Sequence, residues 1–398
     1  VLERDWNRYL EDVARANKLI CNIDLVTDNS LTTAERAQYK AEAKIFRAMV
    51  MFDMVRLWGD FPVITTVADD ITSENIDEVY PQYFPKQNTE LEAYQQIEKD
   101  LLDAVLYAPD NTPGNKTLFS KSVARTLLAK IYAEKPLRDY TKVIQYCDEV
   151  KADGFDLVDD FSDLFGMNAA GTDAKMRNTK ESILEAQFTS GAGNWCTWMF
   201  GRDLVNWNNN FTWAKWVTPS RDLISAFKQE GDEVRFKESI VYYDCNWSNY
   251  YPSDNYPFMY KCRSANSSII KYRYADVLLL KAEALIMQDT PDLEGAADII
   301  DEVRDRAKLG ALPTSVRSNK NVLLNALLKE RRLELAFEGQ RWFDLVRLDK
   351  VEEVMNAVYA KDSGRKAQIY TFDKNSYRLP IPQSVIDAND KIHQNPGY

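Results

Sequence analysis

Apolar residues recur at three- and four-residue intervals in two long blocks of the chain, a spacing that places them on one face of an α-helix. In the first block the pattern predicts helices at 1–26, 33–58, 90–107, 121–134 and 139–152. In the second block it predicts helices at 272–288, 291–308, 320–338 and 341–349. Thr33 is the expected N-cap of the second helix, and Gly59 marks its end. The sequence therefore predicts a mainly α protein with helical parts at about 1–154 and 269–350.

The segment between these parts, about 155–268, has a different pattern. Short apolar alternations are separated there by clusters of Gly, Asn, Asp and Pro, which indicates loops and short strands. One helix, at about 219–230, interrupts the segment, and a Pro- and Asn-rich tail is expected at 351–398. We therefore predict an irregular insert between two helical parts of a single domain.

A faint internal repeat links the two helical parts. Lys40-Ala41-Glu42-Ala43 recurs letter for letter at 281–284, and Ala124, Ala129 and Ala133 place small residues similarly in another helix. Small residues at fixed points let neighbouring helix pairs approach closely, as in tetratricopeptide-like arrays. Taken alone, the repeat fits chance similarity among Ala-rich helices equally well.

Length, composition and charge exclude several classes of protein. The chain has 398 residues, 45% of them apolar, and no apolar run approaches the ~18 residues that a membrane span requires. The formal net charge of -11 argues against binding to nucleic acid or to an anionic membrane surface, since both require concentrated Lys and Arg. A neutral or weakly charged ligand fits this overall charge better.

The chemistry-bearing residues do not form a recognisable catalytic or metal motif. The single histidine, His393, lies in the tail, where a packing role is expected, and no G-x-S-x-G, H-E-x-x-H or P-loop motif is present. The five cysteines include no C-x-x-C pair; a Cys245–Cys262 bridge is one reading, and unbridged thiols are favoured. No enzyme activity, cofactor or metal is therefore predicted.

Two charged segments each have two readings. Glu330, Glu334 and Glu338 fall on one predicted helix face and are followed by Arg341, Asp344 and Arg347, so they form either an acid–base pair or an ion-pair network between helices. Helical spacing explains every charge, which favours the network. The run Asp156, Asp159, Asp160 and Asp163 lacks the Gly and Glu of an EF-hand, so a solvated acidic face is favoured over a calcium site.

Four motifs, in order, closely resemble those of the SusD-like (SusD/RagB) family of Bacteroidetes nutrient-binding lipoproteins. They lie at 43–62, at 273–285 (RYADVLLLKAEAL), at 330–345 (ERRLELAFEGQRWFDL), and in the tail at 379–382 with 394–398. The resemblance implies a right-handed superhelix of four tetratricopeptide-like helix pairs with a loop-rich insert, containing short strands, packed on one side. It also implies a cell-surface protein of the outer membrane that delivers glycans to a SusC-like TonB-dependent transporter. The lipidated cysteine of such a protein would precede Val1, and membrane attachment is expected only through it.

Clustered aromatic residues mark the expected ligand site. Six of the nine tryptophans fall in the insert, and they are Trp195, Trp198, Trp207, Trp213, Trp216 and Trp247. Buried packing is the usual role of one tryptophan, but here short amides accompany the rings, and these are Asn194, Asn206, Asn208, Asn209 and Asn210. Aromatic faces beside amides suit the apolar faces and hydroxyl edges of sugars. We expect two or three of the six rings to contact ligand and the others to pack the insert.

Tyr80 and Tyr83, with Phe84, are further candidates because they lie in a loop after a helix pair. Trp58 and Trp342 belong to the shared motifs and are expected to pack within the scaffold. Three functions remain open on the sequence: a glycan-binding protein, a binder of peptide or another nutrient from the same family, and, least favoured, a glycosidase.

Overall fold

A computed structural model describes residues 2–189, 193–194, 218–244, 251–252, 254–361 and 371–398. The chain forms two compact units. The first unit consists of Val1–Asn111, Leu118–Tyr146 and Phe372–Tyr398, and the second of Thr112–Thr117 and Cys147–Thr371. The six tryptophans of the insert and Asn206, Asn208 and Asn210 lie outside the described residues. Their predicted contacts with ligand stay predictions.

Helices dominate the described residues, as the apolar spacing predicts. Those of the N-terminal part are α1 (Leu2–Asn22), α2 (Thr33–Trp58), α3 (Ile76–Val79), α4 (Glu90–Tyr107), α5 (Lys121–Ala133), α6 (Tyr140–Ala152) and α7 (Ser162–Phe165). They are followed by α8 (Arg221–Glu230), α9 (Glu233–Ser239), α10 (Tyr274–Met287), α11 (Leu293–Arg306), α12 (Thr314–Arg317), α13 (Lys320–Glu334), α14 (Arg341–Arg347), α15 (Val351–Lys361) and α16 (Gln383–Ala388). The mainly α class is confirmed.

Within the described parts of the chain, four short strands lie in and beside the predicted insert, where loops and strands were expected. They are β1 (Ser182–Ala186), β2 (Ile240–Tyr243), β3 (Tyr256–Met259) and β4 (Ile269–Arg273). β1 pairs antiparallel with β4, and β2 with β3. In the second pair Ile240 lies opposite Met259 and Tyr243 opposite Tyr256.

Several predicted boundaries are wrong, and the first helix, expected at 1–26, ends at Asn22. The helix expected at 320–338 ends at Glu334, because Phe337 and Gly339 adopt positive φ angles of 66° and 76° that no α-helix accommodates. The tail expected from residue 351 begins instead with helix α15. Only Val351 of α15 is fully buried. A helix that buries so few residues needs no regular apolar stripe, so the sequence pattern gave little indication of α15.

The core of the first unit forms where α1 packs on α2 and α2 on α4. Trp6 and Trp58, each 1% exposed, meet edge to face with ring centroids 5.3 Å apart. The C-terminal tail closes over this point, because the Asn395 side-chain amide donates to the carbonyl oxygens of Trp58 and Leu379 at 2.8 and 2.7 Å. Trp58 is therefore a packed scaffold residue, as expected, whereas Trp342 is half-buried.

The internal repeat has a packing role in both units. Ala41 and Ala43 in α2 are buried, and so are Ala282 and Ala284 in α10. α2 packs against α1 and α4, and α10 packs against α11 and α13. The repeated small residues thus stand where each central helix meets its neighbours, which is the arrangement of tetratricopeptide-like pairs.

The N-cap of α2 is Thr32, and the sequence-based assignment to Thr33 is wrong by one residue. The Thr32 hydroxyl accepts a hydrogen bond from the Glu35 backbone N–H at 3.2 Å, and the Glu35 carboxylate accepts from the Thr32 backbone N–H at 2.8 Å. This reciprocal capping box satisfies two donors at the helix start. Thr33 is the first residue of the helix.

We predict that Thr32→Ala lowers the free energy of unfolding by about 1 kcal/mol, because the cap is lost. Thr33→Ala, the same change at the adjacent exposed position, is the control and is expected to change it by less than about 0.5 kcal/mol. Chemical denaturation followed by circular dichroism measures both. An equal loss from the two variants would contradict the assignment of the cap.

Candidate functional site

Tyr80 and Tyr83 lie at the surface of the first unit, on a 3-10 turn that follows α3. About half of each side chain is exposed, 52% for Tyr80 and 50% for Tyr83. The Tyr80 ring packs against Phe84 with centroids 4.9 Å apart, and the Tyr83 hydroxyl donates to the Asp69 carbonyl oxygen at 3.1 Å. The two rings are thus held in place while one part of each faces solvent.

Asn194 is a structural residue, unlike the ligand-facing role expected for the amides of the insert. It is fully buried, and its side-chain amide donates to the Ser267 carbonyl oxygen at 2.8 Å and contacts the Cys262 sulfur at 3.1 Å. Its backbone N–H donates to the Ala265 carbonyl oxygen at 2.7 Å. The amide therefore fixes the 262–267 turn.

An open cavity of about 420 Å³ lies in the second unit, within the segment predicted to be the ligand-binding insert. Helix α8, strand β2 and the chain near residue 251 form its walls. The residues that line it are Arg221, Ile224, Ser225, Lys228, Gln229, Tyr242, Tyr251, Pro252 and Asn255. Two aromatic rings, two amides, a hydroxyl and two cations thus face one space, and we call it the α8 cavity.

The sequence of α8 determines which side chains reach this cavity. Leu223 and Phe227 are buried on one face of the helix, which leaves Arg221, Ser225 and Lys228 on the opposite face at three- and four-residue spacing. The helix begins at a Ser220 cap, whose hydroxyl accepts from the Leu223 N–H at 3.1 Å. It ends at Gly231, where φ is +69°.

The two tyrosines are held by their neighbours. The Tyr251 hydroxyl donates to the Pro219 carbonyl oxygen at 2.8 Å, and its ring meets Tyr256 edge to face at 5.6 Å. The Arg221 guanidinium lies 4.6 Å from the centre of the Tyr251 ring, a cation–π contact. Burial raises the pKa of the Tyr242 hydroxyl above its ordinary value. The Tyr251 ring is therefore held at the wall of the cavity by three contacts.

Sequence reasoning missed Tyr242, Tyr251 and the two cations because it looked for clustered tryptophan. A weaker signal was present: Arg221 and Lys228 stand seven residues apart on an amphipathic helix inside the insert. Which of these positions face one another depends on the β2–β3 pairing. That pairing is a tertiary property.

Glu334 is the centre of a buried ion-pair network in the second unit. It bonds Arg235 at 3.0 Å and Arg273 at 2.5 Å, and it also contacts Arg306. Glu338 joins the network through Arg273 at 2.7 Å and Lys261 at 2.6 Å. Burial alone would raise the pKa of Glu334, but the surrounding cations outweigh it and hold that pKa well below its usual range.

Arg331 of α13 is the centre of a second buried ion-pair network. It bonds Asp344 and Asp276, each at 2.8 Å, and Asp344 also bonds Arg347 at 2.8 Å. Arg347 pairs in turn with Glu283 of α10. The favoured ion-pair interpretation is confirmed, but the three glutamates bond cations of other elements rather than those of α14.

The acidic run is also paired with cations. Asp156 and Asp159 bond Lys180, at 3.1 and 3.2 Å, and Asp160 and Asp163 bond Lys175, at 2.9 and 2.7 Å. These bonds to Lys175 and the Ser162 backbone lower the pKa of Asp160 to about 2. Within the described ranges, no group of His, Cys, Asp and Glu side chains has the arrangement of a metal site. The run is thus a lysine-paired surface.

Helix α1 and the other described helices are all too short or too polar to cross a lipid bilayer. The tail histidine, His393, is exposed, and its backbone N–H donates to the Gln87 side chain at 2.8 Å. It packs the tail, as expected.

A scaffold of paired helices that carries an open, aromatic-lined cavity defines the class of helical-repeat binding proteins. Two family models match the chain, "SusD family" at 259–398 and "Starch-binding associating with outer membrane" at 2–133. Together they cover well over half of it. The chain belongs to the SusD-like family, as the four motifs indicate.

Full-length relatives agree with this assignment. SusD-like protein P2 of Formosa agariphila is 28% identical, and the match covers 99% of this chain and 80% of that protein. Starch-binding protein SusD of Bacteroides thetaiotaomicron is 24% identical, and the match covers 95% of this chain and 76% of that protein. The solved structure of a laminarin-binding SusD-like protein has a TM-score of 0.75 and 24% identity, over 99% of this chain and 85% of that one. This likeness confirms the SusD-like fold.

Proposed function

We propose that this protein binds glycans at the cell surface and delivers them to a partner TonB-dependent transporter of the outer membrane. The α8 cavity is the observation that carries the glycan-binding part, because it combines two tyrosine rings with amide and hydroxyl groups. A sugar ring has apolar C–H faces and a polar edge, so it needs both kinds of group side by side. Membership of the SusD-like family supports the partner and the lipid-anchored location.

Relatives of the chain support the same class of ligand. One relative is a starch-binding protein, one solved structure is a laminarin-binding protein, and a matching family model is described as starch-binding and associated with the outer membrane. Starch and laminarin are both polysaccharides. Tyr80 and Tyr83 offer a second exposed aromatic surface, on the first unit.

Calorimetric titration with a panel of neutral and acidic oligosaccharides and of peptides tests the proposal. We predict that at least one glycan binds and that Tyr242→Ala weakens its affinity by roughly tenfold or more, because a stacked ring contributes about 1–3 kcal/mol. The melting temperature is expected to fall by only a few degrees, since Tyr242 is half-buried.

Tyr39→Ala is the matched control, because Tyr39 is an exposed tyrosine on α2 of the first unit. It is expected to leave glycan affinity unchanged. Binding of peptides with no response to any glycan would contradict the proposal and favour the peptide-binding alternative.

A further inference from the structure

The C-terminal tail contacts the chain just after the 3-10 turn that carries the two exposed tyrosines of the first unit. The Asn389 side-chain amide donates to the Pro85 carbonyl oxygen at 2.8 Å, and the Lys391 ammonium group donates to the Phe84 carbonyl oxygen at 2.9 Å. These partners lie 304 and 307 residues apart in the sequence. They therefore meet only when the first unit has folded.

Gln87 forms a further contact with the tail. Its side-chain oxygen accepts from the His393 backbone N–H at 2.8 Å, and its side-chain amide donates to the His393 carbonyl oxygen at 3.3 Å. The same amide donates to the Asp60 carbonyl oxygen at 3.1 Å, so it also bonds the chain that follows α2. One side chain thus joins the tail to both ends of the 60–87 segment.

Asn389 is oriented by the tail itself. The residue is 8% exposed, and its side-chain oxygen accepts from the Lys391 backbone N–H at 3.1 Å. This bond directs the donor end of the amide towards Pro85. A buried amide that is bonded at both ends loses free energy when either partner is removed. The contact between tail and loop is therefore specific to an amide at this position.

The tail contact reaches the tyrosines through Phe84. Its carbonyl oxygen accepts from Lys391, and its ring packs against Tyr80 with centroids 4.9 Å apart. Its backbone N–H donates to the Pro81 carbonyl oxygen at 3.2 Å, within the same 3-10 turn. A displacement of the backbone at Phe84 and Pro85 would therefore move the Tyr80 ring.

We propose that the C-terminal tail sets the conformation of the aromatic surface formed by Tyr80 and Tyr83, with Asn389 as the positioning residue. Rings that are held in one conformation lose less freedom when a ligand binds, so the tail raises the affinity of this surface. The effect on affinity rests on the proposed glycan binding. The effect on conformation does not, and it can be measured without a ligand.

Hydrogen exchange followed by mass spectrometry tests the conformational part. Asn389→Asp keeps the side-chain oxygen that bonds Lys391 and removes the NH₂ group that bonds Pro85, at nearly unchanged size. We expect amide exchange of residues 76–86 to become roughly tenfold faster in this variant, because the local opening of the loop becomes easier. Lys391→Met removes the bond to Phe84 at an exposed position, so it is expected to fold and to speed the same exchange roughly threefold.

Asn395→Asp is the matched control. The Asn395 amide also bonds the tail to the rest of the first unit, but its acceptors are the carbonyl oxygens of Trp58 and Leu379. This variant has the same change of charge and also loses a tail contact. It is expected to leave exchange at 76–86 and glycan affinity unchanged, which separates positioning of the loop from general stability.

Calorimetric titration with laminarin, starch and galacturonate oligosaccharides tests the effect on affinity. Asn389→Asp and Tyr80→Ala are each expected to weaken binding of a glycan that binds the wild type, by roughly three- to tenfold. The double variant is expected to bind no more weakly than Tyr80→Ala alone, because both changes act through one ring. A loss that arose elsewhere in the molecule would instead add to that of Tyr80→Ala.

The outcomes separate this proposal from the proposed function. Unchanged exchange at 76–86 in both Asn389→Asp and Lys391→Met overturns the role of the tail. Faster exchange with no loss of affinity, or with a loss that adds to that of Tyr80→Ala, overturns the positioning of the ring for ligand and leaves glycan binding intact. Failure of every glycan to bind the wild type overturns the proposed function, and the exchange rates alone then decide whether the tail holds the loop.

Discussion

Glu334→Gln is expected to lower the free energy of unfolding by about 3–5 kcal/mol. Glu334 is fully buried and bonds Arg235, Arg273 and Arg306. Glutamine keeps the shape but removes the negative charge, so the three guanidinium groups lose the carboxylate that they share in the buried interior. Urea denaturation followed by circular dichroism measures the loss.

Glu294→Gln is the matched control for this change. Glu294 also pairs with an arginine, Arg317, but its side chain is 73% exposed. Solvent screens such a pair, so the expected loss is below about 1 kcal/mol. Similar losses from the two variants would show that the buried network does not stabilise the second unit.

The pH dependence of the Glu334 variant follows from the lowered pKa of that residue. A carboxyl group whose folded pKa lies below its unfolded value contributes stability above the unfolded pKa and loses it as pH falls through the folded one. The gap between the wild-type and Glu334→Gln free energies should therefore narrow below about pH 4. Denaturation curves measured from neutral pH to well below about pH 4 test whether the gap narrows.

Trp58→Ala is expected to destabilise the first unit by about 3–5 kcal/mol, because it leaves a cavity in a closely packed core. Trp58 is 1% exposed, lies edge to face with Trp6 and Tyr9, and accepts a tail hydrogen bond from Asn395 through its carbonyl oxygen. The truncation removes the aromatic contacts and leaves the carbonyl in place. Thermal and chemical denaturation measure the loss.

Tyr107→Ala provides the comparison, since 54% of the Tyr107 side chain is exposed, and it is expected to cost less than about 1 kcal/mol. Glycan affinity of Trp58→Ala, measured where the variant is folded, is expected to equal that of the wild type. Unchanged stability with lost glycan affinity would instead identify Trp58 as a ligand-contacting residue.

Most helices could be predicted from the sequence because their apolar residues repeat at helical spacing. The predicted bounds of α2 and α4 agree with the structure, and those of α5 and α10 differ by one or two residues. The predicted end of α13 was wrong because Glu338 continues the four-residue spacing of glutamates. The helix nevertheless ends before it, and Phe337 and Gly339 have positive φ angles. The spacing of residues along the sequence shows which side chains share a helix face. The helix itself ends where the backbone φ and ψ angles leave the helical range.

The candidate site could be predicted only as a region. Tryptophan density indicated the insert, and the α8 cavity does lie there, but Tyr242 and Tyr251 gave no comparable signal. They line one space because β2 pairs with β3 and the chain near residue 251 lies beside α8. A pairing of this kind depends on contacts between residues that are distant in the sequence.

The sequence by itself determined the helical class, the family motifs and the ion-pairing role of Glu330, Glu334 and Glu338. These properties depend on local spacing and residue type, which a sequence states directly. Only the tertiary structure decided which cations meet Glu334, and that Arg221, Tyr242 and Tyr251 line one cavity. Net charge is a sum over the chain and favoured a neutral ligand, whereas a ligand responds to the charges that folding places within a few ångströms of it.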